Sequence, residues 1–265
     1  MADTLFINTR PTHRSDALNR LDVRVANLPL LAINDLSLTA GEQAMMGRFC
    51  HTNPYKVLIV TSAESAKRAI RYLQNQGYNT AKDLTILSEC IVIAVGSATA
   101  KALIDFGFTV ILPATANNEG MLALDVIQRL TSGDQVMIWR GVGGRRLLHD
   151  DLIGRGVQID AIEWYERTAP HDLINNHHTI APLIDDAMAR RTPVFMLIAS
   201  QMAFEHWQSL NNPYAPHLHY LTLGERLFDI VKTEHPAAQV HLIDNLDADH
   251  VGTIITRLSQ DLKGR

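Results

Sequence analysis

Short runs of Val, Ile and Leu recur along the chain, each followed by a stretch whose apolar positions repeat at helical spacing. The runs predict strands at Thr4–Asn8, Val23–Asn27, Lys56–Thr61, Ile91–Val95, Phe108–Leu112, Val136–Trp139, Val157–Ile162, Val194–Ile198, His219–Leu223 and Gln239–Ile243. Amphipathic segments such as Ala63–Gln74 and Gln201–Leu210 fill most of the gaps as helices. Strands that are apolar throughout and alternate with helices belong to parallel sheets covered on both faces. Ten strands exceed the usual sheet, so two sheets of about five are expected.

A faint internal repeat points the same way. Val57–Ser62 leads into one helix, and Ile93–Thr99 leads into another that stops at Gly107, before a further strand. Phe195–Ser200 and Tyr220–Gly224 repeat the order strand–Ser–helix, strand–Gly–helix, strand. Thr61 or Ser62 can cap the first of these helices, and Gly107 and Gly154 stand where C-terminal caps are wanted. Pro29 and Pro170 bracket the long central section, and Pro170 opens a polar helical stretch through Arg191. These two points are the candidate domain crossings.

Composition narrows the class. The chain has 265 residues, 46% hydrophobic and 20% charged, which suits an ordinary globular protein of one large or two small domains. No apolar run approaches the roughly 20 residues that span a bilayer, and the first ten residues lack the apolar core of a signal peptide. A cytoplasmic protein without membrane partners is expected. The net charge of −4 gives no basic excess for nucleic acid. Cys50 and Cys90 form no CxxC unit and read as reduced thiols. The groupings His177-His178 and His217-Leu218-His219 have no metal-ligand spacing around them, so no metal site is expected.

In parallel α/β sheets, ligands lie beyond the carboxyl ends of the strands. Thr9-Arg10-Pro11, Thr61-Ser62, Gly96-Ser97-Ala98-Thr99, Arg140 through Arg146, Ser200-Gln201 and Gly224-Glu225-Arg226 fall there. They are small, hydroxylic or basic, and each precedes a helix whose free N–H groups favour anions. Each Ser or Thr among them equally reads as a plain N-cap. The most distinctive stretch, Arg140-Gly141-Val142-Gly143-Gly144-Arg145-Arg146, follows a strand. It is half a dinucleotide fingerprint with Glu163 at ribose distance downstream. The third glycine is replaced by Arg146, and no Gly-Lys-Ser/Thr makes a Walker loop. Trp164-Tyr165 reads either as ordinary aromatics at a strand end or as a phenol placed at a domain crossing, able to donate a proton.

In order and spacing these motifs resemble the uroporphyrinogen-III synthase family. The resemblance runs through Thr9-Arg10-Pro11, Leu28-Pro29-Leu30, Thr61-Ser62-Ala63, Ala94 through Ala100, Pro113, Gly120-Met121-Leu122, Arg140 through Leu147 and Trp164 through Thr168. It implies two similar doubly wound parallel-sheet α/β domains joined by two crossing strands. Residues 1–31 and 168–265 would form a discontinuous domain, and 32–167 the other. It implies a monomeric hydro-lyase that closes hydroxymethylbilane, a linear tetrapyrrole with eight carboxylates, to uroporphyrinogen III. Ring D is inverted through a spiro intermediate, water is lost, and no metal or organic cofactor takes part. Tyr165 becomes the candidate acid. Ser62, Thr99 and Ser200 map onto cleft positions, and Arg10, Gly96, Ser97, Gly143, Gly144, Arg145 and Arg226 join them as candidate substrate contacts. The family's second-half motif carries a Thr after its Gly, where this chain has Glu225. A two-lobed binding protein without catalysis would share the fold and the anion-friendly loops.

Overall fold

The computed structural model describes residues 4–84, 90–143 and 146–263. In chain order, the first half carries β1 (Leu5–Asn8), β2 (Arg24–Asn27), β3 (Ala32–Asp35), α1 (Ala40–His51), β4 (Val57–Val60), α2 (Ala63–Asn75), β5 (Ile91–Ala94), α3 (Ser97–Asp105) and β6 (Val110–Ile111). Next come α4 (Asn118–Leu122), α5 (Asp125–Gln128), β7 (Gln135–Arg140), α6 (Leu147–Gly154), β8 (Gln158–Glu163) and β9 (Tyr165–Thr168). The rest is α7 (Leu173–Ala189), β10 (Val194–Ile198), α8 (Gln201–Ser209), β11 (His219–Leu223), α9 (Glu225–Glu234), β12 (Gln239–Ile243) and α10 (Ala248–Lys263). The chain divides into two compact units, one of Met1–Ile33 with Thr168–Arg265, the other of Asn34–Arg167. β3 and β9 pair as a two-stranded sheet. No helix among the described residues is long and apolar enough to cross a membrane.

The first unit is built on the parallel sheet β12-β11-β10-β1-β2. Alternate residues of its central strands go to opposite faces. Leu5, Ile7, Val194, Met196 and Ile198 pack with Trp207 and Tyr220 on one side. Phe6, Phe195 and Leu197 pack with Val251 and Ile255 of α10 on the other. Each such side chain contributes about 1.5–3 kcal/mol on burial, which is why these strands read as unbroken apolar runs.

The second unit is the parallel sheet β6-β5-β4-β7-β8. Val57, Ile59, Ile93, Val136 and Ile138 form one face. On the other face Trp139, fully buried, meets Phe49 and Trp164 edge-on at 5.4 and 6.1 Å. From β4 the chain runs outward through β5 and β6, then returns to add β7 and β8 on the opposite side. The order therefore reverses between β4 and β7, and in the first unit between β1 and β10. Such reversals open a crevice at the carboxyl ends of the two strands.

Helix ends follow the local chemistry. Ser62 caps α2, accepting from Ser65 N at 3.0 Å, and Ser200 caps α8, accepting from Ala203 N at 3.2 Å. Their backbones match, with φ/ψ of −159/154° and −158/153°, so the repeat in the sequence is a repeat of geometry. It fails at its second step: Gly96 starts α3 with extended φ, whereas Gly224 starts α9 at φ 84°. Gly107 closes α3 at φ 102°. Gly154 is not a cap. It is the last residue of α6, and Gly156 at φ 76° makes the left-handed turn. α7 begins at Leu173, three residues after Pro170.

One packed pair of histidines makes the first unit acid-sensitive. His219 stacks on His241, with centroids 5.6 Å apart and Nδ1 3.3 Å from Nε2. Burial, helped by the charge of His241, pushes His219 down to about 4. Burial and Arg257 lower His241 as well. In the unfolded chain both return to the ordinary value of about 6.5. Between these values the unfolded state binds more protons, so stability is present above about pH 6.5 and declines toward pH 4. The urea midpoint should fall between pH 7 and pH 5, and fall less in His219→Leu. An equal fall in that variant would rule out this pair as the source.

Candidate active site

The crevice at the β4–β7 reversal is a cavity of about 430 Å³. Thr61 and Ser62 enter it from the end of β4, and Arg140, Gly141, Val142 and Gly143 from the end of β7. Asn117, Asn118 and Met121 line it from α4 and its start, Leu148 and His149 from α6, and Tyr165 and Arg167 from β9. Val95, Ala116, Met121, Ile138, Val142 and Leu148 supply apolar surface and Gly141 and Gly143 backbone, while the rest is guanidinium, hydroxyl, amide or imidazole. Among the described residues, no carboxylate belongs to this lining. A cavity of that character suits an anion with an apolar body.

Tyr165 is the centre of the arrangement. Its side chain is 2% exposed, yet it lines the cavity. The phenol donates to Ser62 Oγ at 3.1 Å and accepts from Arg167 Nη2 at 3.1 Å. The guanidinium carbons of Arg68 and Arg167 stand 5.2 and 5.5 Å from the ring centroid, within cation–π range. Arg68 is itself clamped by Glu64 at 2.5 Å and Asp35 at 2.6 Å. Burial alone would lower the Arg68 pKa, but these two carboxylates carry it above its ordinary value.

The glycine turn after β7 wraps this phenol. Val142 N donates to Tyr165 O at 2.8 Å, and Trp164 N to Arg140 O at 2.9 Å. Arg140 staples the turn, donating from Nε to Gly141 O at 3.1 Å and from Nη2 to Gly143 O. It also stands 3.7 Å from Glu163. Gly143 has φ 76°, a conformation open to glycine at little cost. Gly141 answers a different need: a Cβ there would lie 2.5 Å from Tyr165 Cζ. The half-fingerprint thus shapes a seat for an aromatic ring.

Of the residues expected at the site, Ser62, Gly143 and Tyr165 line this cavity together. Gly144 and Arg145 lie outside the described residues. Gly96, Ser97 and Thr99 do not line it. Thr99, the third residue of α3, is 3% exposed because its face of the helix packs inward. In the first unit, Ser200 caps α8, and Arg226 Nη2 donates to the adjoining Gln201 Oε1. Arg10 follows β1 half-buried. Burial, with the charge of Arg14, pushes its guanidinium pKa down, and no carboxylate pairs with it among the described residues. Thr9 Oγ1 donates to Leu197 O and ties the ends of β1 and β10.

Asn117, Asn118, Arg167 and His149 were not singled out from sequence as contacts, and Arg140 only as part of the ligand-side glycine turn. His149 lines the cavity as well. α6 buries Leu148 and Leu152, and His149 lies in its first turn, directly after the glycine turn. Asp150 holds His149 Nδ1 at 3.1 Å and Arg146 Nε at 3.4 Å. The usable signal was position: the first turn of a helix that leaves a reversal point borders the crevice.

A family model described as uroporphyrinogen-III synthase HemD matches residues 13–232. The uroporphyrinogen-III synthase of Escherichia coli (strain K12) is 27% identical over 193 residues, covering 69% of this chain and 73% of that protein. Among solved structures, a mutant uroporphyrinogen III synthase from the extremely thermophilic bacterium Thermus thermophilus superposes with a TM-score of 0.62 at 13% identity, covering 99% of this chain and 100% of that one. The Helicobacter pylori 26695 uroporphyrinogen-III synthetase gives 0.59 at 14% identity, covering 98% and 99%. At such identities these structures establish the shared fold.

Proposed function

The chain belongs to the uroporphyrinogen-III synthase family, and on that footing we propose that the cavity beside Tyr165 is where its hydro-lyase reaction takes place. The family reaction is a step of tetrapyrrole biosynthesis. Hydroxymethylbilane loses its terminal hydroxyl as water and closes to uroporphyrinogen III with ring D reversed. The observation that carries the reading is the Tyr165 phenol: it borders a cavity with no carboxylate among its described lining residues and is held between Ser62 Oγ and Arg167 Nη2.

The chemistry follows from that placement. Hydroxide is a poor leaving group, and a proton delivered as the C–O bond breaks lets it depart as water. Tyr165 gives that proton, and Arg167 meets the phenol oxygen on which negative charge then develops. The carbon left behind is an azafulvenium cation, which ring D attacks through the α-carbon that already carries its bridge, forming a spiro centre. That bridge bond then breaks to a second azafulvenium, and the free α-carbon of ring D attacks it to close the ring reversed. One proton leaves the substrate as the ring re-aromatises, so the sum is loss of water. Arg140 and Arg167 hold side-chain carboxylates of the substrate, and the N–H groups at the Ser62-capped start of α2 add to them. Holding both ends of the linear chain close together supplies much of the rate by itself. Arg10, Ser200 and Arg226, in the first unit, are further candidate substrate contacts.

The test is the product isomer. Hydroxymethylbilane left alone closes without inversion to the type I isomer. Adding this protein should divert the product to type III, measured by separating the isomers after oxidation. An unchanged isomer ratio would leave a binding protein without catalysis as the better reading.

A further inference from the structure

We propose that His149 grips a substrate carboxylate as an imidazolium, so that binding of substrate takes up a proton. The inference rests on the synthase reading of this cavity, and it concerns binding, whereas Tyr165 concerns the chemical step. Asp150 Oδ1 lies 3.1 Å from His149 Nδ1, which fixes the proton on that nitrogen. A neutral ring then carries a lone pair on Nε2 and repels an anion. A ring that must satisfy Asp150 on one side and a substrate carboxylate on the other has to donate from both nitrogens. Only the imidazolium does so. His149 is half-buried and lines the cavity among groups that also receive anions, Arg140 and Arg167.

The surrounding charges leave this role to His149. Asp150 on α6, and Arg146 just before that helix, form one cluster with it. From β7 comes Arg140, turned toward Glu163 of β8. From β9 come Tyr165 and Arg167, bonded to each other. Asp160 of β8 is held by Arg48 at 2.6 Å and Tyr55 at 2.5 Å, and α4 carries Glu119 at its exposed start. His149 carries the imidazole of this set, whose second ring nitrogen can take up a proton as an anion arrives.

The experiment measures KM and kcat for type III formation from hydroxymethylbilane between pH 6 and pH 8.5, in the wild-type chain, His149→Gln and His149→Lys. In wild type KM should rise at least about threefold from pH 6 to pH 8, the scale of one charge-assisted hydrogen bond partly offset by its neighbours. His149→Gln should show the high KM at every pH, and His149→Lys, with a permanent charge, the low one. The change should sit in KM. A His149→Gln profile parallel to wild type would overturn the proposal, as would His149→Lys no better than His149→Gln, or a loss in kcat at unchanged KM. Failure of the acid assignment would show separately, as a Tyr165→Phe variant with undiminished kcat.

Discussion

Tyr165→Phe should lower turnover by at least about tenfold, toward the 10²–10⁴-fold that general acid help typically supplies, while the fold stays nearly as stable. Phenylalanine keeps the ring against Gly141, Arg68 and Arg167 and removes only the O–H. The hydroxyl makes two hydrogen bonds, to Ser62 and from Arg167. Ser62 retains its bonds to Ser65, 3.0 Å to the backbone and 2.9 Å to Oγ, and the exposed Arg167 turns to water. The stability cost is therefore about 0.5–1.5 kcal/mol. Single-turnover formation of the type III isomer, set beside the urea midpoint, separates the two effects. Full activity in the variant would remove Tyr165 as the acid. The proton would then come from water or the substrate's own carboxylic acids, and the protein would act as a shaped template.

The core strands were legible because they are buried on both faces. A run such as Val57–Val60 or Val194–Ile198 has nowhere to go but the middle of a parallel sheet, and the ten strands expected all occur, within a residue or two for most. β3 and β9 were not read as strands from the apolar pattern; strands near these two points entered only through the family resemblance. Ala32–Asp35 and Tyr165–Thr168 pair only with each other, in a two-stranded sheet with partly exposed faces. Their residues show neither an apolar run nor a clean alternation. Pairing of this kind depends on a distant partner, and local pattern carries no trace of it.

The site divides in the same way. Ser62 and Ser200 could be read as caps because capping is local: a hydroxyl meets a backbone N–H three residues on. Tyr165 could be singled out through its family motif. What surrounds it could not, since Ser62 lies 103 positions away in sequence and Arg68 reaches the ring from the second turn of α2. Thr99 shows the opposite case. A hydroxyl near the start of a helix looked available, but the side-chain direction set by the helix turned it into the core. His149 was passed over because a lone histidine in a helix has no signature. Its significance comes from the reversal of strand order, which only the assembled sheet displays.

That assembled geometry makes Gly141→Ala the second large effect expected. The added Cβ would stand 2.5 Å from Tyr165 Cζ and 2.8 Å from both Cε atoms. Carbon atoms settle at about 3.5–4.0 Å, so ring or turn has to retreat by about 1 Å. The turn is held by Arg140 and by the 2.8 Å bond from Val142 N to Tyr165 O, which fixes the backbones of both partners. The ring gives way instead, and its phenol oxygen leaves the point between Ser62 and Arg167. A misplacement of this size can cost about 100-fold in rate, so turnover should fall by about 10–100-fold with a modest loss of stability. The argument has an internal check. If Gly141 acts through the position of the phenol, adding Gly141→Ala to Tyr165→Phe should lower turnover far less than it does in the wild-type chain, because the group it displaces is already gone. Two losses that multiply in full would mean that Gly141 serves the substrate directly, through its own backbone.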